Sequence, residues 1–157
     1  MRFAVFSDSH GNAANLRKII HYCRENYAVD KFVFLGDGIG DIYDLIGEGL
    51  LRYEDVLLVK GNCDRAVSDE EELLFTHEDT RILICHGHRY GVKTTLDYLA
   101  KRAHERGAGI VLYGHTHIQN IEEKDGVYFV NLGSAFTDPN FAILEVDKGR
   151  HYAVPII

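Results

Sequence analysis

Tryptophan is absent, and only two prolines and one methionine occur among the 157 residues. No apolar run approaches the roughly 20 residues that a membrane-spanning helix needs. The first apolar stretch, Phe3 to Phe6, passes directly into Ser7-Asp8-Ser9-His10, so it is also too short for the apolar segment of a signal peptide. Cysteine is scarce: Cys23, Cys63 and Cys85 are odd in number and share no CxxC spacing. That excludes a disulfide framework or a cysteine-built zinc site and fits reduced thiols in cytoplasm. Basic residues are outnumbered, 17 lysines and arginines against 24 aspartates and glutamates, for a net charge of -7. This balance argues against a protein that covers many nucleic-acid phosphates. Any phosphate ligand must therefore be held by something other than a field of lysine and arginine. Repeats, linkers and low-complexity stretches are missing as well, and 46% hydrophobic residues are enough for the core of one domain. We read residues 1–157 as that single domain, with the acidic run Asp69 to Glu72 as a solvated face.

Short apolar runs at Phe3 to Phe6, Phe32 to Leu35, Val56 to Val59, Ile82 to Cys85 and Ile110 to Tyr113 have strand length and polar or glycine ends, and read as buried strands. Between the first two, Leu16, Ile19, Ile20, Cys23 and Tyr27 recur at helical spacing. A second helix is expected around Leu96, Leu99, Ala100 and Ala103, opened by a capping box Thr94-x-x-Asp97 and closed by Gly107. After His117 the pattern becomes antiparallel. Asp125-Gly126 suits one hairpin turn, and Phe141 to Val146 with Tyr152 to Ile156 form another whose last strand carries Pro155 and belongs at a sheet edge. The fold class these signals predict is α/β: a layered α/β sandwich with two mixed sheets flanked by helices.

Metal-competent side chains fall in one kind of place. Asp8 and His10 follow the first strand, Asp37 the second, Asn62 the third, His86 the fourth, and His115 with His117 the fifth. In open α/β sheets the ligand crevice lies outside the carboxyl ends of the strands. Five segments would thus deliver polar groups to one spot. The spacing of two within Asp8-x-His10 and His115-x-His117 lets both members of a pair point the same way if the backbone stays extended. Glycines stand beside the same residues, before them at Gly36, Gly61 and Gly114 and after them at Gly11 and Gly87. Two carboxylates, four histidines and an asparagine amide form a nitrogen and oxygen set without sulfur, suited to manganese first, then iron, nickel, cobalt or zinc, and less to calcium or magnesium. Asp37, central in the set, is the natural bridging carboxylate. Two such ions, offset by two carboxylates and a bridging hydroxide, leave a charge of roughly +1, enough to attract an anionic ester to an acidic protein.

Asp8-Ser9-His10, Gly36-Asp37, Gly61-Asn62-x-Asp64, His86-Gly87 and Gly114-His115-Thr116-His117 together resemble the calcineurin-like metallophosphoesterases. In order and spacing they look most like the small single-domain YfcE-type phosphodiesterases, and Asn131-Leu132-Gly133-Ser134 is similar to a motif that often follows in that group. The resemblance implies a binuclear-metal phosphoesterase, foremost a phosphodiesterase, that hydrolyses a small phosphate ester by direct attack of a metal-bridging hydroxide. It implies that Asp8, His10, Asp37 and His117 hold one ion, and Asp37, Asn62, His86 and His115 the other. It also implies a cytoplasmic enzyme, with a homodimer as the assembly that small relatives suggest. The alternatives are a phosphomonoesterase or protein phosphatase, and a non-catalytic metal-binding scaffold like the retromer subunit of this fold. Scaffold members tend to lose ligand histidines, whereas all seven positions are filled here.

This chain departs from the family pattern twice. Cys63 stands where histidine is commoner, which leaves the general acid unassigned, and Gly40 replaces an acidic residue, with Asp41 one place later. Asp64 is expected either to orient His10 or another ligand histidine or simply to form a turn. Arg65 could pair with substrate phosphate through its planar fork or stay solvated. His88 repeats the spacing of two after His86 and could reach phosphate at the rim. Cys63 reads as a redox-sensitive thiol or a space-filler, while His21, His77, His104 and His151 carry no motif and receive no role.

Overall fold

The computed structural model describes residues 1–65 and 69–156. In chain order the elements are β1 (Arg2–Phe6), α1 (Ala13–Asn26), β2 (Lys31–Phe34), α2 (Ile39–Gly47), β3 (Val56–Leu58), β4 (Glu72–His77), β5 (Thr80–Cys85), α3 (Asp97–Arg106), β6 (Ile110–Leu112), β7 (Gln119–Lys124), β8 (Val127–Leu132), β9 (Phe141–Asp147) and β10 (Arg150–Ile156). They build two five-stranded sheets, ordered β10-β9-β1-β2-β3 and β4-β5-β6-β8-β7. Each sheet is mixed. In the first, β1, β2 and β3 run parallel while β9 and β10 run antiparallel. In the second, β5, β6 and β8 run parallel, with β4 and β7 antiparallel at the edges.

The period-two alternation of a strand decides the layers. Phe3 and Val5 point into the space between the sheets with Val33, Leu35, Ile84, Leu112 and Val130. Ala4 and Phe6 point the other way, onto Leu16, Ile19 and Ile42 of α1 and α2, and Leu83 and Val111 cover Leu99 and Ala103 of α3. The order is helices, sheet, sheet, helix. Each fully buried leucine, isoleucine or phenylalanine contributes roughly 1.5–3 kcal/mol. Both hairpins form as expected. Lys124 pairs with Val127 and Asp147 with Arg150, and the turn residues Asp125-Gly126 and Lys148-Gly149 all have positive φ. Pro155 lies on the edge strand β10, where its missing N–H leaves no interior ladder incomplete.

Three local expectations are corrected. The capping box does not form: α3 begins after Leu96 with no side-chain cap, and the Asp97 N–H donates to Thr95 Oγ1 at 3.1 Å instead. The sequence reading contains neither α2 nor β4. The acidic run is not a solvated face, since Glu72 lies in β4 and accepts hydrogen bonds from Arg102 Nη2 at 2.7 Å and from the Tyr90 hydroxyl.

Candidate metal centre

The parallel strands of both sheets end at one edge of the sandwich, and the loops that leave them converge there. Six of the seven expected ligands fall into two clusters, Asp8 with His10 and His117, and Asp37 with His86 and His115, the donor atoms of each within 4.8 Å of one another. In the first, His117 Nε2 lies 3.1 Å from Asp8 Oδ1 and 3.2 Å from His10 Nε2. In the second, His86 Nε2 lies 3.2 Å from both Asp37 Oδ2 and His115 Nδ1. The clusters approach each other through both carboxylates: Asp37 Oδ2 is also 3.8 Å from His10 Nε2, and Asp8 Oδ1 is 3.8 Å from His86 Nε2. Asn62 sits beside them, exposed, with its amide nitrogen 3.6 Å from Cys63 Sγ.

The backbone that places these groups is not extended. Asp8, His10, Asp37, His115 and His117 all have φ between 45° and 69°, a region that costs a non-glycine residue of order 1 kcal/mol or more. Among the described residues the other non-glycine positions with positive φ are Glu78, Asp125 and Lys148, which lie between antiparallel strands. Among the described non-glycine residues, left-handed backbone outside hairpins is thus confined to candidate ligands. Glycine makes room for the carboxylates: a Cβ on Gly61 would sit 2.1 Å from Asp37 Oδ1, and one on Gly114 would sit 2.7 Å from Asp8 Oδ2.

Each donor is held by a specific partner. Asp8 Oδ2 accepts from Ser7 Oγ at 2.5 Å and from the His115 N–H at 3.1 Å, leaving Oδ1 turned to the histidines. Asp37 Oδ1 accepts from the Cys63 N–H at 2.8 Å, leaving Oδ2 between the clusters. His86 Nδ1 lies 2.7 Å from the Leu35 carbonyl, which can only accept, so Nδ1 carries the hydrogen and Nε2 faces inward. Asp41 accepts from Ser9 Oγ and the Gly11 N–H and fixes the loop around His10. Asn131 donates to the Gly114 carbonyl and Thr116 Oγ1, and Ser134 donates to the Asp8 carbonyl. The anchors Ser7 and Ser9 are absent from the sequence reading; a serine on each side of Asp8 at a strand end was the available signal.

Of the two roles expected for Asp64, the geometry fits the turn: its N–H lies 3.3 Å from the Gly61 carbonyl and its Oδ2 accepts from the Gly61 N–H. Its carboxylate touches no ligand histidine. Oδ2 accepts from the N–H groups of Asp37 and Gly61, and Oδ1 from those of Gly38 and Ile39, at 2.7 to 3.0 Å. It ties the Asp37 loop to the Asn62 loop and acts as a positioning residue. Asp64→Ala strands four N–H groups, so we expect a loss of roughly 2–3 kcal/mol and a melting temperature lower by about 5–10 °C. Manganese affinity should fall about 10- to 100-fold, as when other supports of ligand groups are removed. Thermal unfolding and calorimetric titration check both numbers; unchanged affinity in a destabilised variant would limit Asp64 to the fold.

The electrostatics call for cations. Asp8 is 0% and Asp37 3% exposed, and their ion-pair partners among the described residues are histidine nitrogens. Burial works against the charged forms of Asp37 and His86. Their mutual contact prevails, holding Asp37 well below the usual carboxylate range and His86 above the usual histidine range. Burial pushes His115 down to about 4, with the neighbouring His86 and Lys93 acting in the same direction. The protein therefore favours a positive charge between Asp37 Oδ2 and His86 Nε2 and opposes a second proton on His115. A divalent ion fits that demand, as do inward-facing nitrogens 3.2 Å apart, whose lone pairs a shared cation would reconcile.

A family model described as the calcineurin-like phosphoesterase superfamily domain matches residues 1–149. The chain belongs to that superfamily. It is 36% identical over 137 residues to the probable metallophosphoesterase YsnB of Bacillus subtilis, covering 85% of this chain and 75% of that protein. It is 25% identical over 170 residues to the phosphodiesterase MJ0936 of Methanocaldococcus jannaschii, with 96% of each covered. Superposition on a predicted phosphoesterase of Streptococcus pneumoniae gives a TM-score of 0.79 at 25% identity, over 99% of this chain and 88% of that one. Members of this metallophosphoesterase family act with metal, which agrees with the donor set. No described helix is long and apolar enough to cross a membrane.

The residues expected at substrate stand around the rim. His88 is half-buried, its ring centroid 5.5 Å from that of His86 and 6.1 Å from that of His115, and its Nδ1 is buried without a hydrogen-bond partner. Cys63 is exposed, and its sulfur lies within 4.8 Å of donor atoms of His10 and Asp37. Arg65 is exposed on the same loop. His21 and His104 are exposed outside the centre.

Proposed function

We propose that this superfamily member is a binuclear phosphodiesterase. The observation that carries the reading is Asp37 Oδ2, one carboxylate oxygen facing nitrogen donors of both clusters. Asp8, His10, Asp37 and His117 would hold one ion, manganese in the first instance, and Asp37, Asn62, His86 and His115 the other. When bound, the two ions supply an acidified water as nucleophile and positive charge for the phosphoryl oxygens. The chain's own work is to fix the donors through Ser7, Asp64 and the Leu35 carbonyl before substrate arrives. Such preorganisation removes a reorganisation cost from the reaction itself.

A diester carries one negative charge at phosphorus and needs less positive charge than a dianionic monoester. His88 and Arg65 at the rim are the expected phosphate contacts. MJ0936, named a phosphodiesterase, supports the same choice. Manganese-loaded protein should therefore cleave bis(4-nitrophenyl) phosphate with a higher kcat/KM than 4-nitrophenyl phosphate. A clear monoester preference would favour a phosphatase, and no metal-dependent turnover of either ester would favour the scaffold.

A further inference from the structure

A groove of about 640 Å³ lies beside the donor cage. It runs between the segment leading into α3 and the start of β7, and Thr116, between His115 and His117, lines it. Its volume suits a small organic group. Its walls are fixed: Asn131 and the Ile118 N–H hold Thr116 Oγ1, and Asn120 donates to the Tyr113 hydroxyl at 3.0 Å. The charges are arranged unevenly. Lys124 pairs with Asp97 at 2.5 Å and Glu122 accepts from Asn120 Nδ2 at 3.1 Å, whereas Lys93, which lines the same groove, has no ion pair among the described residues. Ile118, next to His117, is 69% exposed and gives the groove an apolar lip. A groove that lies beside the donor cage, with a cation free of ion pairs and an apolar lip, suits a ligand arm that is part anionic and part apolar.

We infer that this groove is the subsite for one ester arm of the phosphodiester, and that Lys93 selects an arm carrying its own anionic group within a few atoms of phosphorus. The inference rests on the diesterase reading of the centre. The substrate class is then a diester of a carboxylated or phosphorylated alcohol, with the apolar part of that arm along Ile118. Lys93 contacts the arm and takes no part in attack on phosphorus.

The test uses three 4-nitrophenyl diesters whose second alcohol is ethanol, 3-hydroxypropanoate or choline, assayed by kcat/KM with the manganese-loaded protein. The wild-type protein should prefer the carboxylate arm over the choline arm by about five- to tenfold, the scale of one partly screened charge contact. Lys93→Ala should reduce that ratio at least about threefold, mainly through KM of the carboxylate ester, and Lys93→Glu should reverse it. Lys93→Arg should keep the ratio. Lys101→Ala, an exposed lysine elsewhere on α3, is the control and should also keep it. An unchanged ratio in both Lys93→Ala and Lys93→Glu, with the ethyl ester still hydrolysed, overturns the groove assignment alone. No metal-dependent hydrolysis of the ethyl ester by wild type overturns the diesterase reading beneath it.

Discussion

Asp37→Ala should lose at least about 10³-fold in kcat/KM, roughly 4 kcal/mol, and its manganese content should fall from about two ions per chain to one or fewer. Removing a single preorganised stabilising donor from an active site typically costs about 10²–10³. Asp37 does more than one such donor: Oδ2 lies 3.2 Å from His86 Nε2 and 3.8 Å from His10 Nε2, and Oδ1 anchors the loop of Asn62 and Cys63. Its loss would leave Asp8 Oδ1, 3.8 Å from His86 Nε2 and 3.7 Å from His10 Nε2, as the remaining carboxylate near both histidines, and the neighbouring loop without its acceptor. His21→Ala and His104→Ala, both exposed and outside the clusters, should stay within about twofold of wild type, as surface changes away from a site usually do. Elemental analysis after loading and desalting, with steady-state kinetics on the same samples, reads both quantities. Two ions retained in Asp37→Ala would show that the carboxylate is not a bridge. Equal losses at His21 or His104 would place the centre elsewhere.

The strand ends were legible because each strand is an apolar run closed by glycine or a polar residue, and parallel strands must release their loops on the same edge. That one rule brings Asp8, Asp37, His86, His115 and His117 to one place from the sequence alone. The loop conformations were not legible. An extended backbone would also aim Asp8 and His10 together, and although Asp and His enter left-handed φ more readily than most residues, that readiness does not single out the positions that adopt it. The geometry is imposed from outside, through the His10 N–H on the Asp37 carbonyl and the Asp8 N–H on the Gly36 carbonyl. Asp64 shows the same limit. From sequence a carboxylate two places after an asparagine ligand reads as a support for histidine or as a turn former, and neither reading reaches the three acceptor contacts it makes to backbone 25 to 27 residues earlier.

Secondary structure failed where local chemistry pointed the wrong way. The helix α2 is nine residues long, follows Gly38 without a side-chain cap and carries a further glycine at its second position, so it lacks most start signals. The strand β4 begins inside an acidic run. Its Glu72 is compensated by Arg102 and Arg106, thirty or more residues later, and a charge partner so distant does not appear in a local pattern.

Cys63→His should flatten the dependence of rate on the leaving group. Burial and the nearby Asp37 both push the Cys63 thiol upward, so near neutral pH it stays protonated and is a poor donor to a departing oxygen. General acid catalysis typically contributes about 10²- to 10⁴-fold, and it matters most when the leaving oxygen is basic. The natural protein should therefore show a steep fall of kcat/KM as leaving-group pKa rises. An imidazole at position 63, with an ordinary pKa near 6.5, can protonate the poorer leaving groups and should accelerate them selectively, while nitrophenyl esters change little. The position is open enough to accept the ring, since Cys63 is exposed. The same geometry raises a competing outcome. The Cys63 sulfur already lies within 4.8 Å of donor atoms of His10 and Asp37, so a new histidine there could take a metal ion. Elemental analysis of both proteins must accompany the kinetics across a series of substituted aryl diesters. Two ions in each with a shallower slope in Cys63→His would identify position 63 as the place of the missing acid. Parallel slopes at equal metal content would mean that the leaving group takes its proton from water or from another rim residue, with His88, half-buried 5.5 Å from His86 between ring centroids, the first to replace.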